Sequence, residues 1–333
     1  MMQKSKQNYT VQKWITLLSV LLFILKITAY YLTGSLAILS DALESIVNII
    51  AGFIGLYSLY IAAKPKDFDH PYGHGKAAFI SAAAEGSMVI AAGIIIIYET
   101  VLNLLDSTTV KQLDTGLWLI GTTALLNYIA GSYCMRIGKK NNSLALESSG
   151  KHLQIDTYST LGVLLAIFLM YFTKIYWLDK VIAFALSIFI IYSGYSILRK
   201  SIAGIMDEAD IKLLKQFIDV LNAHKKANWV DIHNLRVIRY GELLHIDCHL
   251  TLPWYLNMHE AHLEIDGLSA LIQQEFGNTI ELFVHTDGCL DFSCAICIKT
   301  DCELRKYPFV QQLNWTLENI VSNEKHRLGS EIQ

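Results

Sequence analysis

The feature that most constrains this chain is a series of long apolar segments between residues 14 and 200. A helix needs about 20 apolar residues to cross a hydrocarbon layer roughly 30 Å thick. A signal peptide is the alternative for the first segment, but that segment is long and a second one follows almost at once. We therefore predict an α-helical membrane protein with six transmembrane helices, at about 14–32, 36–62, 79–105, 117–137, 146–172 and 178–198.

Charged residues are scarce in the chain as a whole. They make up 17 % of the 333 residues, whereas a soluble domain carries roughly 25 %. Hydrophobic residues make up 53 %, and 27 basic against 30 acidic residues give a net charge of −3. This composition excludes a disordered chain and a basic nucleic-acid-binding protein, so no nucleic-acid partner is expected.

Lysine and arginine are concentrated on one side of the predicted spans. They precede the first span, follow the sixth, and fill the 2–3 and 4–5 connections, whereas the other side carries few. By the positive-inside rule, both termini are expected in the cytoplasm. We predict an integral, multi-pass protein of the cell (inner) membrane.

Ionisable groups within the spans are the first functional signal, because each one costs about 2.5–3.5 kcal/mol at the bilayer centre. Glu44 and Asn48 in the second span are four residues apart, so they share one helix face. His152 and Asp156 in the fifth span have the same spacing. At 1.5 Å per residue, the two pairs lie about 9–18 Å from their helix ends, at overlapping depths. They form a tetrahedral ligand set for a divalent cation, although two polar pairs that merely hold helices together remain an alternative.

Three further charged residues fall within the predicted spans. Lys26 is interpreted as structural, either reaching outward along the first span or pairing with a carboxylate. Glu85 and Glu99 in the third span either line a water path or pair helices, and the sequence does not separate these two roles.

The pattern changes after residue 206, where the chain reads like a soluble protein. The predicted elements are a helix, two strands, a second helix and a third strand, at about 210–224, 230–240, 243–252, 259–276 and 279–286. This α-β-β-α-β order fits a small α+β cytoplasmic domain. Alternation in the second strand places His245, Asp247 and His249 on one face and the apolar residues between them on the other.

Four of the six cysteines fall within fourteen residues: Cys289, Cys294, Cys297 and Cys302. Disulfides are not expected in the cytoplasm, and four clustered thiols with a central Cys-x-x-Cys indicate a site for zinc or another soft metal. Iron–sulfur ligation and unpaired cysteines in a flexible tail are the alternatives. The predicted division of the chain is a transmembrane domain, a cytoplasmic metal-binding domain and a cysteine-containing tail, over 1–205, 206–288 and 289–333.

Four segments together resemble the cation diffusion facilitator family, in order and over about residues 10–290. The most specific is Asp67 to Lys76, which reads DFDHPYGHGK. The others are GSLAILSDALESIVN, GKHLQID and GIMDEA, which begin at Gly34, Gly150 and Gly204. The resemblance implies a homodimeric, proton-coupled exporter of Zn, Fe, Mn, Co or Cd.

The resemblance also implies metal sites residue by residue. It assigns transport to Glu44, Asn48, His152 and Asp156, although the family usually has Asp or His followed by Asp at the two second-span positions. It assigns a loop site to Asp67, His70 and His74, and a cytoplasmic binuclear site to His233, His249, His262, His285 and Asp287. From the residues alone, polar loop and surface histidines without metal remain the alternative.

The predicted function is proton-coupled export of a divalent cation from the cytoplasm, with zinc the first candidate. Carboxylates and imidazoles bind either metal or protons, so an inward proton gradient removes metal on the outer side. A membrane-anchored metal sensor that does not transport is the alternative. No enzyme is expected, since the sequence has no phosphate-binding loop, no His-Glu-x-x-His motif and no nucleophile–base pair. The expected partners are the metal, protons, the bilayer and a second copy of the chain.

Overall fold

The computed structural model describes residues 2–33, 36–102, 114–173, 178–240, 243–277 and 280–328. The chain divides into two compact units, Met1–Met206 and Asp207–Gln333.

The described part of the first unit consists of six long helices. They are α1 (Met2–Thr33), α2 (Leu36–Ala62), α3 (Ala77–Leu102), α4 (Asp114–Asn141), α5 (Leu144–Thr173) and α6 (Leu178–Ile205). Among the described residues, two helical segments meet both the length and the hydropathy of a membrane span: Lys6–Thr28 and Ala77–Leu102, with mean hydropathies of 1.6 and 2.0. Large apolar side chains such as Trp14, Phe53 and Tyr192 are exposed on the helices, as expected of a surface that faces lipid.

Glycines bring two pairs of helices into close contact. A Cβ on Gly86 of α3 would lie 2.9 Å from the backbone nitrogen of Leu198 in α6, and one on Gly194 of α6 would lie 2.9 Å from the carbonyl oxygen of Gly86. In α4 and α5, a Cβ on either Gly131 or Gly150 would lie 2.8 Å from the carbonyl oxygen of the other. Small residues permit such close approach between membrane helices. The backbones of α3 and α6, and those of α4 and α5, therefore touch without a side chain between them.

The second unit contains three helices, three strands and a short 3-10 helix in the described residues. In chain order these are α7 (Ile211–Ala223), β1 (Asp231–Tyr240), β2 (Leu243–Leu252), α8 (Met258–Phe276), β3 (Ile280–Gly288), the 3-10 helix (Asp291–Ala295) and α9 (Leu317–Ile320). The elements up to β3 agree with the predicted bounds to within two residues. Local signals explain this agreement. Asp210 caps α7 by accepting a hydrogen bond from Leu213 N, and Asn257 and Glu260 form a capping box at the start of α8.

The three strands form one sheet in the order β1-β2-β3. The central strand β2 is antiparallel to β1 and parallel to β3. Its apolar residues Ile246, Cys248 and Leu250 are buried, as the alternation predicts. A bulge interrupts β1 between His233 and Arg236, and it includes Asn234, whose φ is 52°.

The core of the second unit includes residues that lie far apart in sequence. It joins apolar side chains of α7, the sheet and α8 to two residues of the segment 289–333, Trp315 and Ile320. These two side chains are 2 % and 0 % exposed. The chain beyond β3 therefore returns to the domain and contributes to its core.

Candidate metal centres

Asn48, one member of the predicted second-span pair, meets the fifth-span pair of His152 and Asp156 between α2 and α5. Asn48 Nδ2 donates a hydrogen bond to Asp156 Oδ2 at 2.6 Å. One turn earlier on α5, His152 Nε2 lies 3.7 Å from Asp156 Oδ1. The side chains of His152 and Asp156 are only 8 % and 13 % exposed. Asn48 and Asp156 each lie about 18 Å from the N-terminal end of their helix, at 1.5 Å per residue.

The atoms at this contact suit a divalent cation. Asn48 Oδ1 is buried and has no hydrogen-bond partner among the described residues. With the carboxylate of Asp156 and the imidazole of His152, it offers the oxygen and nitrogen ligands that zinc, iron and manganese accept. Glu44 belongs to α2, but its side chain lies outside the described residues. The geometry therefore brings three of the four predicted ligands together.

Two charged residues whose roles the sequence left open are buried near these helices. Lys26 of α1 is 5 % exposed, and its Nζ donates a hydrogen bond to Ser45 Oγ of α2 at 2.9 Å. Glu85 of α3 is fully buried and accepts hydrogen bonds from Ser148 Oγ and Ser149 Oγ at 2.6 and 2.7 Å. Both serines belong to α5 and precede His152 by about one turn, so Glu85 joins α3 to the part of α5 that bears the ligands. The side chain of Glu99 lies outside the described residues.

A second group lies in the loop between α2 and α3. The ligand atoms of Asp67, His70 and His74 all lie within 4.8 Å of one another. Asp67 Oδ1 accepts a hydrogen bond from His70 N at 2.7 Å, and Asp67 Oδ2 lies 3.4 Å from His74 Nε2. Gly73 adopts a φ of 88°, a left-handed conformation that glycine tolerates in a tight turn. This turn lets His74 approach Asp67.

The loop group is electrostatically suited to a cation. Desolvation opposes ionisation of Asp67, but hydrogen bonds from His70 and the charges of His70 and His74 outweigh it and hold the Asp67 pKa below its ordinary value. His74 Nδ1 is buried, with no hydrogen-bond partner in the described part of the chain. An ionised carboxylate therefore lies between two imidazoles.

A third group lies in the second unit and takes one residue from each strand. The ligand atoms of His233 (β1), His249 (β2) and Asp287 (β3) lie within 4.8 Å of one another. Asp287 Oδ2 is 3.5 Å from His233 Nε2 and 3.2 Å from His249 Nδ1. The strand register explains this grouping, because His233 pairs with His249 across β1 and β2 and His249 pairs with His285 across β2 and β3.

The other two residues implied for this site lie differently. His285 Nε2 is 3.8 Å from Asp287 Oδ1, and its ring lies 4.7 Å from that of His249, so it borders the group. His262, on α8, is 3.8 Å from Asp266 Oδ1 on the same helix and is not part of the compact group. Four of the five residues implied for this site are therefore brought together.

We call His233, His249 and Asp287 the strand-end group. Three residues beside it were not predicted from the sequence: Asp231, Lys325 and His326. Lys325 Nζ lies 3.6 Å from Asp287 Oδ1 and donates a hydrogen bond to the Gly288 carbonyl at 2.9 Å. His326 Nδ1 lies 2.6 Å from Asp231 Oδ1. The other oxygen of Asp231 is 3.6 Å from His233. Contacts across about 95 residues leave no periodic pattern in a sequence, so only the folded chain reveals them.

Burial and charge shift the pKa values of His233, His326 and Asp231 in different directions. Burial lowers the pKa of His233, and the nearby carboxylates only partly offset this effect. Burial also opposes the charged form of His326, but the hydrogen bond and charge of Asp231 outweigh it and raise the His326 pKa. The same contacts with His326 lower the pKa of Asp231 against the effect of its own burial. Because burial lowers its pKa, His233 is favoured in the neutral form, which is the form that binds metal.

The four clustered cysteines surround one small cavity of about 30 Å³. All four are free thiols. In contrast to the loop group and the strand-end group, their ligand atoms do not form a compact group among the described residues. Burial raises the pKa of Cys289, and the three neighbouring thiols add to this effect, against a hydrogen bond from the backbone of Trp254.

Comparison with known proteins identifies the family to which both units belong. Residues 13–206 match the family model described as the cation efflux transmembrane domain. Residues 212–289 match the model described as the cation efflux protein, cytoplasmic domain. Most of the cysteine cluster lies beyond both matched regions.

Similar full-length proteins occur in several bacteria. An uncharacterized transporter of Synechocystis sp. is 32 % identical over 250 residues, which cover 75 % of this chain and 81 % of the relative. The cation-efflux pump FieF of Pectobacterium atrosepticum is 24 % identical over 279 residues, covering 82 % and 90 %. FieF of Salmonella newport is 25 % identical over 271 residues, covering 80 % and 88 %. The chain therefore belongs to the cation efflux family, also called the cation diffusion facilitators, and is a membrane transporter of metal cations.

Proposed function

We propose that this chain is a six-span exporter that moves a divalent cation, with zinc as the first candidate, out of the cytoplasm in exchange for protons. The observation that carries the proposal is the buried contact of Asn48 on α2 with Asp156 on α5, next to His152. Ligand atoms from two helices converge there, deep within a unit of long apolar helices. Both termini are expected to face the cytoplasm, as the distribution of basic residues favours.

The proposed transport site consists of Glu44, Asn48, His152 and Asp156. Two carboxylates balance the charge of a divalent cation, and the amide oxygen and the imidazole complete four ligands, the number that zinc commonly takes. Because Asn48 is neutral, the site holds one negative charge fewer than a set with Asp at that position. We expect this to weaken its hold on the cation and to favour release.

Proton coupling follows from the chemistry of the same ligands. A carboxylate or an imidazole that binds a proton no longer binds a metal ion, so the two ligands compete. A site exposed alternately to the two sides would load metal in the cytoplasm and lose it to protons outside. His152 and Asp156 are the residues proposed to take the protons.

We also propose that the loop group and the strand-end group bind cytoplasmic metal as a regulatory ligand. Support comes from their compact sets of imidazole and carboxylate atoms. The loop group consists of Asp67, His70 and His74. The strand-end group consists of His233, His249 and Asp287, with His285 beside it. We assign His262 to the same regulatory site by resemblance alone.

The test is metal uptake into proteoliposomes under an imposed pH gradient, screened over Zn, Fe, Mn, Co and Cd. Asp156→Asn and His152→Gln should each abolish flux, because each removes a ligand from the proposed site. Glu147→Gln is the matched control. Glu147 lies on the same helix, but its carboxylate is 3.8 Å from Lys200 Nζ rather than in the proposed site.

Three outcomes would contradict parts of the proposal. Near-normal flux in Asp156→Asn or His152→Gln would refute the transport site. Flux that does not respond to the pH gradient would refute proton coupling. Metal binding to the wild-type protein without flux of any of the five cations would favour the alternative of a membrane-anchored sensor.

A further inference from the structure

The four clustered cysteines converge on one cavity although they come from different parts of the segment after β3. Cys289 directly follows β3, and its backbone nitrogen donates a hydrogen bond to the Leu252 carbonyl at the end of β2. Cys294 lies in the 3-10 helix, and Cys297 and Cys302 follow it. All four cysteines line the same cavity of about 30 Å³, which is room for one ion or one water molecule. No three of their sulfur atoms lie mutually within 4.8 Å in the described structure, so binding one ion requires their side chains to turn toward it.

The loop that carries three of these thiols is shaped by one arginine. The Arg305 guanidinium donates hydrogen bonds to the carbonyl oxygens of Cys294, Cys297 and Lys299, at 2.8, 3.0 and 2.6 Å. This fixes the backbone around the central Cys-x-x-Cys without a strand or a long helix. The cysteines therefore lie on a loop whose backbone is held in a defined conformation.

The charge around the cavity suits an anionic metal complex. Four thiolates around one Zn²⁺ carry a net charge of −2, and three basic residues line the same cavity: Lys299, Arg305 and Lys306. Asp291, which also lines it, lies 3.9 Å from Lys306 Nζ. Lys299 Nζ lies 3.0 Å from Asp301 Oδ1, so the three basic residues exceed the two nearby carboxylates by one charge.

The segment also needs a fixed structure that its own regular elements do not provide. Between β3 and α9, the described residues form only the five-residue 3-10 helix. Yet this segment must lead accurately to Trp315, which is buried in the domain core. A structural metal is a common way to fix a short segment of this kind.

We propose that Cys289, Cys294, Cys297 and Cys302 bind one zinc ion as a closed tetrathiolate site that is structural rather than transported. On binding, each thiol loses its proton to solvent and forms one sulfur–zinc bond. Four protein ligands leave no open position on the metal, so exchange is slow. The inference does not depend on whether the chain exports cations.

The first test measures tightly held zinc in the full-length protein, purified in detergent under reducing conditions. A mild chelator first removes metal from the imidazole–carboxylate sites. We expect one zinc ion per chain to remain, with only sulfur neighbours at about 2.3 Å by X-ray absorption. The variant Cys294→Ser/Cys297→Ser should lose this ion. The control Cys248→Ala, which removes a buried cysteine of β2 outside the cluster, should keep it.

Several results would overturn the proposal. The proposal fails if the protein retains no zinc, or retains iron instead. It also fails if the zinc has nitrogen or oxygen neighbours, or if the double variant holds as much zinc as the wild type. Disulfide bonds among these cysteines in protein purified under reducing conditions would also overturn it.

A second measurement on the wild-type protein covers the case in which the double variant does not fold. We expect the four thiols to react with a thiol reagent only after a strong chelator has removed the zinc. Free reaction of these thiols before the chelator is added would refute the site.

Discussion

Lys325 offers a direct test of what sets the metal affinity of the cytoplasmic strand-end group. Its ammonium lies 3.6 Å from Asp287 Oδ1, while the other oxygen of Asp287 faces His233 and His249. The lysine thus neutralises the only carboxylate in the compact group. A divalent cation that binds there must either displace the ammonium or tolerate its repulsion. Replacing Lys325 by Gln should therefore tighten metal binding at this site.

The size of the effect follows from the geometry. At 3.6 Å, Coulomb's law gives about 1.2 kcal/mol between unit charges in water and about 4.6 kcal/mol at an effective dielectric constant of 20. The side chains of Lys325 and Asp287 are 20 % and 21 % exposed, so solvent screening favours the lower end of this range. An effect of about 1.4 kcal/mol corresponds to a tenfold change in a dissociation constant. We expect roughly tenfold tighter zinc binding, and less at high salt.

The assay is a calorimetric zinc titration of the full-length protein in detergent. The background carries Asp156→Asn and Asp67→Asn, so that the transport and loop ligands do not contribute. Lys212→Gln, on the exposed first turn of α7, is a control for the loss of one positive charge elsewhere in the domain. An unchanged dissociation constant in Lys325→Gln would refute the electrostatic argument. Weaker binding would show that Lys325 serves instead to hold the chain after β3, residues 289–328, against the domain.

Three further predictions concern other parts of the chain. Asn48→Asp should enlarge the zinc-dependent rise in melting temperature, because it sets two carboxylates close together that repel unless a cation lies between them. Asn48→Ser is the uncharged control, and equal shifts in the two variants would contradict the prediction. Burial lowers the pKa of Lys225 to about 8 from 10.5 despite the nearby charge of Asp231. The unfolded chain therefore binds more protons than the folded one between these values, and the free energy of unfolding should rise with pH from about 8 to 10.5. Chemical unfolding should show this rise flattened in Lys225→Met, and a flat wild-type profile would refute it. Glu85→Leu should lower the melting temperature more than Glu85→Gln, since it leaves the Ser149 hydroxyl without its acceptor at about 1–3 kcal/mol, whereas Ser148 still donates to the Ala145 carbonyl. Equal losses in the two variants would contradict the pairing.

Much of the cytoplasmic fold was predictable because its signals are local. Alternation in β2 correctly predicts the burial of Ile246, Cys248 and Leu250, although His245 on the opposite face is also buried. The Asn257–Glu260 capping box marks the start of α8. The shared helix face of His152 and Asp156 on α5 was also predictable, because residues four apart lie on the same face of a helix.

The parts that escaped prediction depend on contacts between distant segments. Nothing near Trp315 in the sequence indicates that it is buried beside α7, where Asn222 hydrogen-bonds its backbone. The pairing of His326 with Asp231 likewise depends on the path of the whole chain between β3 and His326. His262 is assigned to the cytoplasmic metal site by resemblance, whereas in the fold it lies beside Asp266, one turn away on the same helix. Its role in the site stays a prediction.

The glycine contacts of the first unit determine which helices can move separately. Where backbones touch, as at Gly86 and Gly194, no flexible layer of side chains absorbs a sliding motion. We therefore expect α3 and α6 to move together as one rigid pair, and α4 and α5 as another, while α2 belongs to neither pair. Asn48 and Asp156 sit on opposite sides of such a boundary. A tilt of about 5° moves a residue about 18 Å from its pivot by roughly 1.6 Å. That displacement approaches the length of a metal–ligand bond of about 2.0–2.2 Å, so a small rotation would be enough to separate the ligands of the proposed transport site.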